Sequence, residues 1–253
     1  MTTLKNKVVW LTGASSGIGE ALALRLARTG CRLVISARRA EALEIIAAKC
    51  RGGALVVPLD VTDKAAVQAA AATIRERLGP VDVLITSAGT YIPTDVDTFN
   101  ADEYARIMNL NYTGTLHCVE AVLPDMIARR SGHLVPISSL VGYRGAPRSW
   151  SYGASKAALI NFFEGLRFDL EKYRIRVTIV NPGFVKTPLT DKNDFPMPFL
   201  VDAETSARHI VEGITRNRME VHYPWQLSWI FKLLRVLPYP LYHRLIAAKV
   251  VRK

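Results

Sequence analysis

The sequence predicts a single α/β domain built on a doubly wound parallel sheet with helices on its faces. Three observations carry this. Short apolar runs alternate with longer stretches of helical period. The runs are apolar on successive residues, as strands covered on both faces must be. The chain has 253 residues, 49% of them hydrophobic and 22% charged, which fits one compact core and excludes a disordered, collagen-like or membrane-spanning chain.

The first element is the apolar run at residues 8–11, which ends at Thr12-Gly13. Ile18, Leu22 and Leu26 follow at four-residue spacing up to Gly30, so the segment reads strand, glycine turn, helix, C-cap. Apolar strands recur at 33–35, 55–57, 81–85, 134–137 and 177–180. Helices are expected at roughly 40–49, 63–78, 101–128, 152–173 and 203–216. The alanine-rich stretch at 65–72 is read as a helix packed closely on the sheet, since alanine is the best helix former. The sequence contains no low-complexity linker and no internal repeat.

A domain of this size buries roughly 70 to 75% of its unfolded surface and needs no disulfide or metal to hold it together. The three cysteines, Cys31, Cys50 and Cys118, are odd in number and far apart, without the spacing of a redox or zinc site, so no metal is expected. The first eight residues carry two lysines and no apolar core of a secretory signal. The expected compartment is the reducing cytoplasm, with association at a membrane surface as the alternative. Basic residues number 33 against 22 acids, a formal charge of +11. Six of the basic residues, and no acid, lie from Val221 to the last residue, Lys253. Nucleic acid is not an expected partner, because no recognised nucleic-acid module accompanies the charge.

The turn Thr12-Gly-Ala-Ser-Ser-Gly-Ile-Gly19 lies where a dinucleotide pyrophosphate would meet free backbone N–H groups and the positive end of a helix dipole, as in Rossmann-type units. Gly13 permits the turn, Gly17 lets the backbone approach phosphates, and Gly19 lets the helix pack on the sheet. Arg38 falls 19 residues after Gly19, where an NAD-binding unit usually has an acid for the ribose 2′-OH. An arginine there pairs with a 2′-phosphate, which favours NADP(H) over NAD(H); the alternative is a solvated arginine at a helix start. Asp60 is placed to accept from the adenine amine or to cap the next helix, although Thr62 and Asp63 are better placed to cap.

Tyr152 and Lys156 are four apart in a helical stretch and share one helix face. Ser139 follows the fifth strand, at the end of the sheet where open α/β folds bind ligands, and Asn111 lies in the preceding helix. With the glycine turn, Ser87-Ala-Gly89 and Asn181-Pro-Gly-Phe-Val-Lys-Thr187, these residues resemble the classical short-chain dehydrogenases/reductases over roughly residues 5–223. The resemblance implies an oxidoreductase that moves hydride between a nicotinamide and a carbonyl/alcohol pair. It implies Tyr152 as acid-base, Ser139 as the carbonyl partner, Lys156 on the nicotinamide ribose, and Asn111 holding a water that leads from Lys156 to solvent. The cofactor would be held by Gly13, Ser15, Ser16, Gly17, Ile18, Gly19, Arg38, Asp60, Val61, Ala88, Gly89, Tyr152, Lys156, Pro182, Gly183, Val185 and Thr187. Residues 1–223 form the dinucleotide-binding catalytic part, and 224–253 a basic amphipathic extension of the same domain. The alternatives are a non-catalytic NADP(H)-sensing protein and a membrane-surface lipid carbonyl reductase.

Two positions depart from the family pattern. Thr86-Ser87 replaces the usual Asn-Asn before Ala-Gly, so a shorter hydrogen bond or a water must tie the neighbouring strands. Pro136 stands in a central strand and removes one ladder donor. Around the expected carbonyl, Leu140, Tyr143, Trp150, Phe195, Met197 and Phe199 are bulky, and Pro196 and Pro198 would stiffen a lid, which suits a bulky apolar ketone or aldehyde. Arg144 and Arg148 would either recognise an acidic group on that substrate or be solvated. In the extension, Trp225, Trp229, Ile230, Leu233, Leu234 and Leu237 recur at helical spacing, with a second amphipathic stretch through Leu241, Leu245 and Ala248. This stripe is read as packing on the core or on a second subunit of a dimer or tetramer, with peripheral membrane contact through 225–253 as the alternative.

Overall fold

The computed structural model describes residues 3–250. Among the described residues, strands and helices mostly alternate along the chain, with eight strands and nine α-helices. The strands are β1 (Val8–Thr12), β2 (Arg32–Ser36), β3 (Leu55–Val56), β4 (Val83–Thr86), β5 (Gly132–Pro136), β6 (Ile175–Val177), β7 (Ile179–Pro182) and β8 (Glu220–Tyr223). The first six form a parallel sheet in the order β3-β2-β1-β4-β5-β6, so the winding reverses between β1 and β4. That reversal opens a crevice at the strand C-termini, where ligands bind in this architecture.

The helices are α1 (Gly17–Leu26), α2 (Ala40–Lys49), α3 (Lys64–Leu78), α4 (Ala101–Met108), α5 (Gly114–Arg129), α6 (Trp150–Glu171), α7 (Ala203–Thr215), α8 (Trp225–Val236) and α9 (Tyr239–Val250). Both faces of the sheet are covered. Val8 and Trp10 of β1 join a core with Val67, Ile74, Cys118, Val122 and Phe163 from α3, α5 and α6. Val9 and Leu11 point the other way, toward Leu22, Leu26, Leu43, Ile46, Ile210 and Ile214 of α1, α2 and α7. This alternation between two cores is why the strand reads as continuously apolar. Gly30 closes the first helical segment in the left-handed conformation, φ 73°. Asp63, Asn100 and Asp202 cap α3, α4 and α7 through their side chains.

Three elements differ from expectation. The strand expected over 177–180 splits at Thr178 into β6 and β7, and β7 pairs with β8, which sequence reasoning did not anticipate. Thr178 N–H donates to Leu134 C=O at 2.9 Å, and Ser138 N–H to Val180 C=O at 2.7 Å. The bond between those two would need an N–H at Pro136, which has none, so the ladder breaks there. The helix expected over 101–128 is divided by a π-turn, Asn109–Thr113, whose wider coil turns Asn111 into the interior. The apolar stripe of the extension does not pack on the core of its own chain and is largely outward. α8 buries Leu227 and Ser228, whereas Trp225, Trp229, Ile230 and Leu233 are exposed. The side chains of Lys249 and Val250 and all of 251–253 lie outside the described residues. Among the described residues, no helix is long and apolar enough to cross a membrane.

Candidate active site

The turn after β1 is shaped for close backbone approach. Gly13 and Gly17 have φ of 69° and 57°, conformations that favour glycine. A Cβ on Gly13 would lie 2.5 Å from Ala88 N, and one on Gly19 would lie 2.1 Å from Gly13 O. The N-cap of α1, Ser16, makes no side-chain bond to the helix, so the first-turn N–H groups remain available to an anion. This turn forms one end of a cleft of about 440 Å³. Every residue expected to hold the cofactor lines that cleft, from Gly13 through Arg38, Asp60 and Ala88 to Pro182 and Thr187. A cradle that admits only glycine, an uncapped helix start and flanking arginines fit a dinucleotide phosphate. Asp60 does not cap a helix; its Oδ1 accepts from the backbone N–H and hydroxyl of Thr62 at 2.9 and 2.8 Å.

At the other end of the cleft stand Ser139, Tyr152 and Lys156. Lys156 is only 5% exposed, and its Nζ donates to Ile137 C=O at 2.8 Å, 5.6 Å from the centre of the Tyr152 ring. Burial lowers the ammonium to about 8. Burial also pushes the Tyr152 phenol up to about 12, against the opposing pull of the Ser139 hydroxyl. Tyr152 therefore carries its proton at neutral pH and is placed as a proton donor. Ser139 is fixed from both sides: its hydroxyl accepts from Val141 N–H at 3.3 Å and donates to Pro182 C=O at 3.4 Å.

Asn111 lies behind the cleft wall rather than on it. Its Nδ2 donates to Thr90 C=O (3.0 Å) and Ser155 Oγ (2.9 Å), and its Oδ1 accepts from Thr90 N–H (2.8 Å). The side chain ties the segment after Gly89 to the residue preceding Lys156.

A second cavity of about 190 Å³ meets the cleft, and both are walled by Ser139, Tyr152 and Gly183. Its remaining wall is mostly apolar, with Leu140, Phe184, Phe195, Leu227 and Phe231 among its residues. Of the six side chains expected there, Leu140 and Phe195 are present. Tyr143 turns away, its hydroxyl donating to the Glu220 carboxylate, which also takes Asn181 Nδ2 at 2.8 Å and Lys232 Nζ at 2.7 Å. Trp150 stacks on Phe99 and meets Tyr104 edge-on, in an aromatic cluster outside the cavity. Met197 sits behind Asn193, its sulfur 3.2 Å from Nδ2, and Phe199 is exposed. Neither Arg144 nor Arg148 lines this cavity. Arg144 donates to Leu237 C=O at the end of α8 (2.7 Å) and packs 4.0 Å from the centre of the Tyr242 ring. Arg148 forms a two-pronged ion pair with Asp194 at 2.9 and 3.1 Å.

Sequence reasoning missed Tyr91, Phe184, Leu227 and Phe231. Tyr91 meets the Tyr152 ring edge-on at 5.4 Å and follows the C-terminus of β4, so the rule that pointed to Ser139 could have found it. Leu227 and Phe231 belong to α8, four apart on its inner face. The helix was announced by Trp225, Trp229, Ile230 and Leu233, which are exposed, and not by these two.

A sequence profile described as short chain dehydrogenase matches residues 7–196. An uncharacterized oxidoreductase of Myxococcus xanthus is 38% identical over 245 residues, which cover 96% of this chain and 97% of that one. A short chain dehydrogenase/reductase from Burkholderia phymatum in complex with NAD superposes with a TM-score of 0.85 at 25% identity, covering 92% of this chain and 94% of that one. Actinorhodin polyketide ketoreductase with NADPH superposes at 0.80 with 27% identity, covering 90% of this chain and 99% of that one.

Proposed function

The chain belongs to the short-chain dehydrogenase/reductase family and is an oxidoreductase of that type, and from this premise we propose that it reduces a bulky apolar ketone or aldehyde with NADPH. The observation that carries the proposal is the junction of the two cavities. Tyr152 and Ser139 wall both the polar cleft and the apolar pocket, so a carbonyl in the pocket and a nicotinamide in the cleft would meet beside the phenol. When bound, the reduced nicotinamide supplies the hydride. Tyr152 donates its proton to the carbonyl oxygen, and Ser139 holds that oxygen by a hydrogen bond. Lys156 keeps an ammonium near the phenol and stabilises the anion that remains. Asn111 fixes the backbone around Gly89 and Ser155, and with it the ammonium. Thr187, at the cleft wall opposite Gly17, would orient the carboxamide end of the cofactor.

Arg38 and Arg39 supply the support for NADP(H), since both line the cleft at the end of β2, where NAD(H) binding would call for an acid. Arg38→Asp is expected to weaken NADPH at least about tenfold relative to NADH, the loss of one charge-assisted phosphate contact. An unchanged NADPH/NADH ratio of kcat/KM would place the 2′-phosphate elsewhere. Gly19→Val should raise the NADPH dissociation constant by at least about tenfold, because the added Cβ meets Gly13 O and the loop must move. Nucleotide fluorescence titration reads this directly, and retained affinity would show that the loop does not bind the phosphates.

The proposal itself is tested by NADPH oxidation over a panel of apolar ketones, aldehydes and ketoacyl compounds, with small polar aldehydes alongside. Preference for the bulky apolar compounds is expected. Faster turnover of the small polar aldehydes would overturn the substrate class.

A further inference from the structure

α8 presents two apolar faces. Leu227 and Phe231 point inward and wall the substrate cavity, while Trp225, Trp229, Ile230, Leu233 and Val236 are exposed on the outer side. Trp229 and Leu233 are each more than 60% exposed, at 62% and 63%, which is far from the behaviour of a packing stripe. The exposed surface continues into α9 with Tyr239, Leu241 and Leu245, and exposed Phe199 and Leu200 follow the Phe195 segment that also borders the cavity.

Both helices are tied to the rest of the fold. Lys232 pairs with Glu220 at 2.7 Å, and Arg235 approaches Glu164 at 3.9 Å. Arg144 caps the end of α8 and grips α9 through Tyr239 and Tyr242. The face is therefore the outer side of the helix that walls the substrate cavity.

Charge decides what covers it. From Val221 onward the sequence has six basic residues and no acid; Lys232 and Arg235 are paired with Glu220 and Glu164, and the other four lie beyond Pro238. A two-fold contact between copies through this face would bring the exposed Arg244 of α9 and a chain end without acids against their own copies. An anionic surface complements it, and exposed tryptophan and tyrosine beside basic residues are the composition that settles at a bilayer interface.

We propose that the outer face of α8 and α9 docks on an anionic membrane surface, which places the substrate cavity beside the bilayer. Resting on the function proposed above, this deepens it: the carbonyl compound is one dissolved in lipid.

The test is cosedimentation of the full chain with vesicles of phosphatidylcholine alone and of phosphatidylcholine mixed with phosphatidylserine, at low and high salt. Binding is expected to the anionic vesicles, weakened by salt, and not to the zwitterionic ones. Trp229→Glu combined with Leu233→Glu should lower the partition coefficient at least about thirtyfold, since each new charge faces the anionic surface. Trp229→Phe combined with Leu233→Met should keep it. NADPH affinity is the control for folding in both variants, and since vesicle binding needs no turnover, failure of the catalytic reading is seen separately. Equal sedimentation with both vesicles, none with either, or no effect of the glutamates would overturn the proposal. So would a stable dimer that binds no vesicle and that the glutamates split into monomers, which would assign the face to a second copy.

Discussion

Tyr152→Phe is expected to lower carbonyl reduction by about 10³-fold or more, within the range general acid-base catalysis supplies, while NADPH affinity stays near that of the native protein. The substitution removes one oxygen and keeps the ring, so the edge-on contact with Tyr91 and the packing around Lys156 survive. What disappears is the one phenol shared by the polar cleft and the apolar cavity. The direction of the reaction adds a second readout. Burial holds the phenol up to about 12, so it is protonated throughout the neutral range and reduction needs no pH change to load it. Alcohol oxidation needs the same oxygen deprotonated, so its rate should climb with pH in the native protein, and this dependence should vanish with the hydroxyl. Single-turnover kinetics in both directions measure it. A variant that kept most of its turnover would move the acid to another group, with Ser139 the nearest alternative.

The two halves of the site were not equally legible in the sequence, and the reason is where each wall comes from. The cleft is built from strand C-termini, and each contributes a short local motif: the glycine turn after β1, Arg38 after β2, Ser139 after β5, Gly183 after β7. Such motifs stay at the crevice whatever else the fold does. The apolar cavity is walled by α8 and by loops. There, bulk and hydrophobicity were the available signals, and they did not separate Phe195, which faces in, from Phe199, which faces out. α8 is the sharpest case, because it is apolar on both sides and its periodicity is equally consistent with either face packing. The partners of Arg144 and Arg148 were hidden for a related reason: they are the carbonyls of α8 and Asp194, distant in sequence and without a pattern. Within the fold, the π-turn at Asn109–Thr113 was hidden because helix continues on both sides of it. Pro136 was read correctly as a lost ladder donor, but its consequence falls on the neighbouring strand, at Thr178.

Lys156→Met should remove activity and stabilise the cofactor-free protein at the same time. The loss of turnover, about 10²-fold or more, follows from losing the ammonium that favours the Tyr152 anion. The gain in stability follows from burial. The folded state lowers Lys156 from the ordinary 10.5 to about 8, so between those values the unfolded chain binds more protons and stability rises with pH. Below about 8 the lysine is charged in both states, and the full cost of burying the ammonium falls on the fold, up to about 3 kcal/mol for a shift of this size. The lost bond to Ile137 C=O offsets part of the gain. The methionine variant should therefore melt several degrees higher at neutral pH, with the gap closing as pH rises from about 8 toward 10.5. Thermal melts of both proteins across that range test the prediction. A gap that does not depend on pH, or a methionine variant that melts lower throughout, would show that the ammonium is not held at a cost. A cost that the variant relieves, together with lost turnover, identifies Lys156 as a residue kept for chemistry against the preference of the fold.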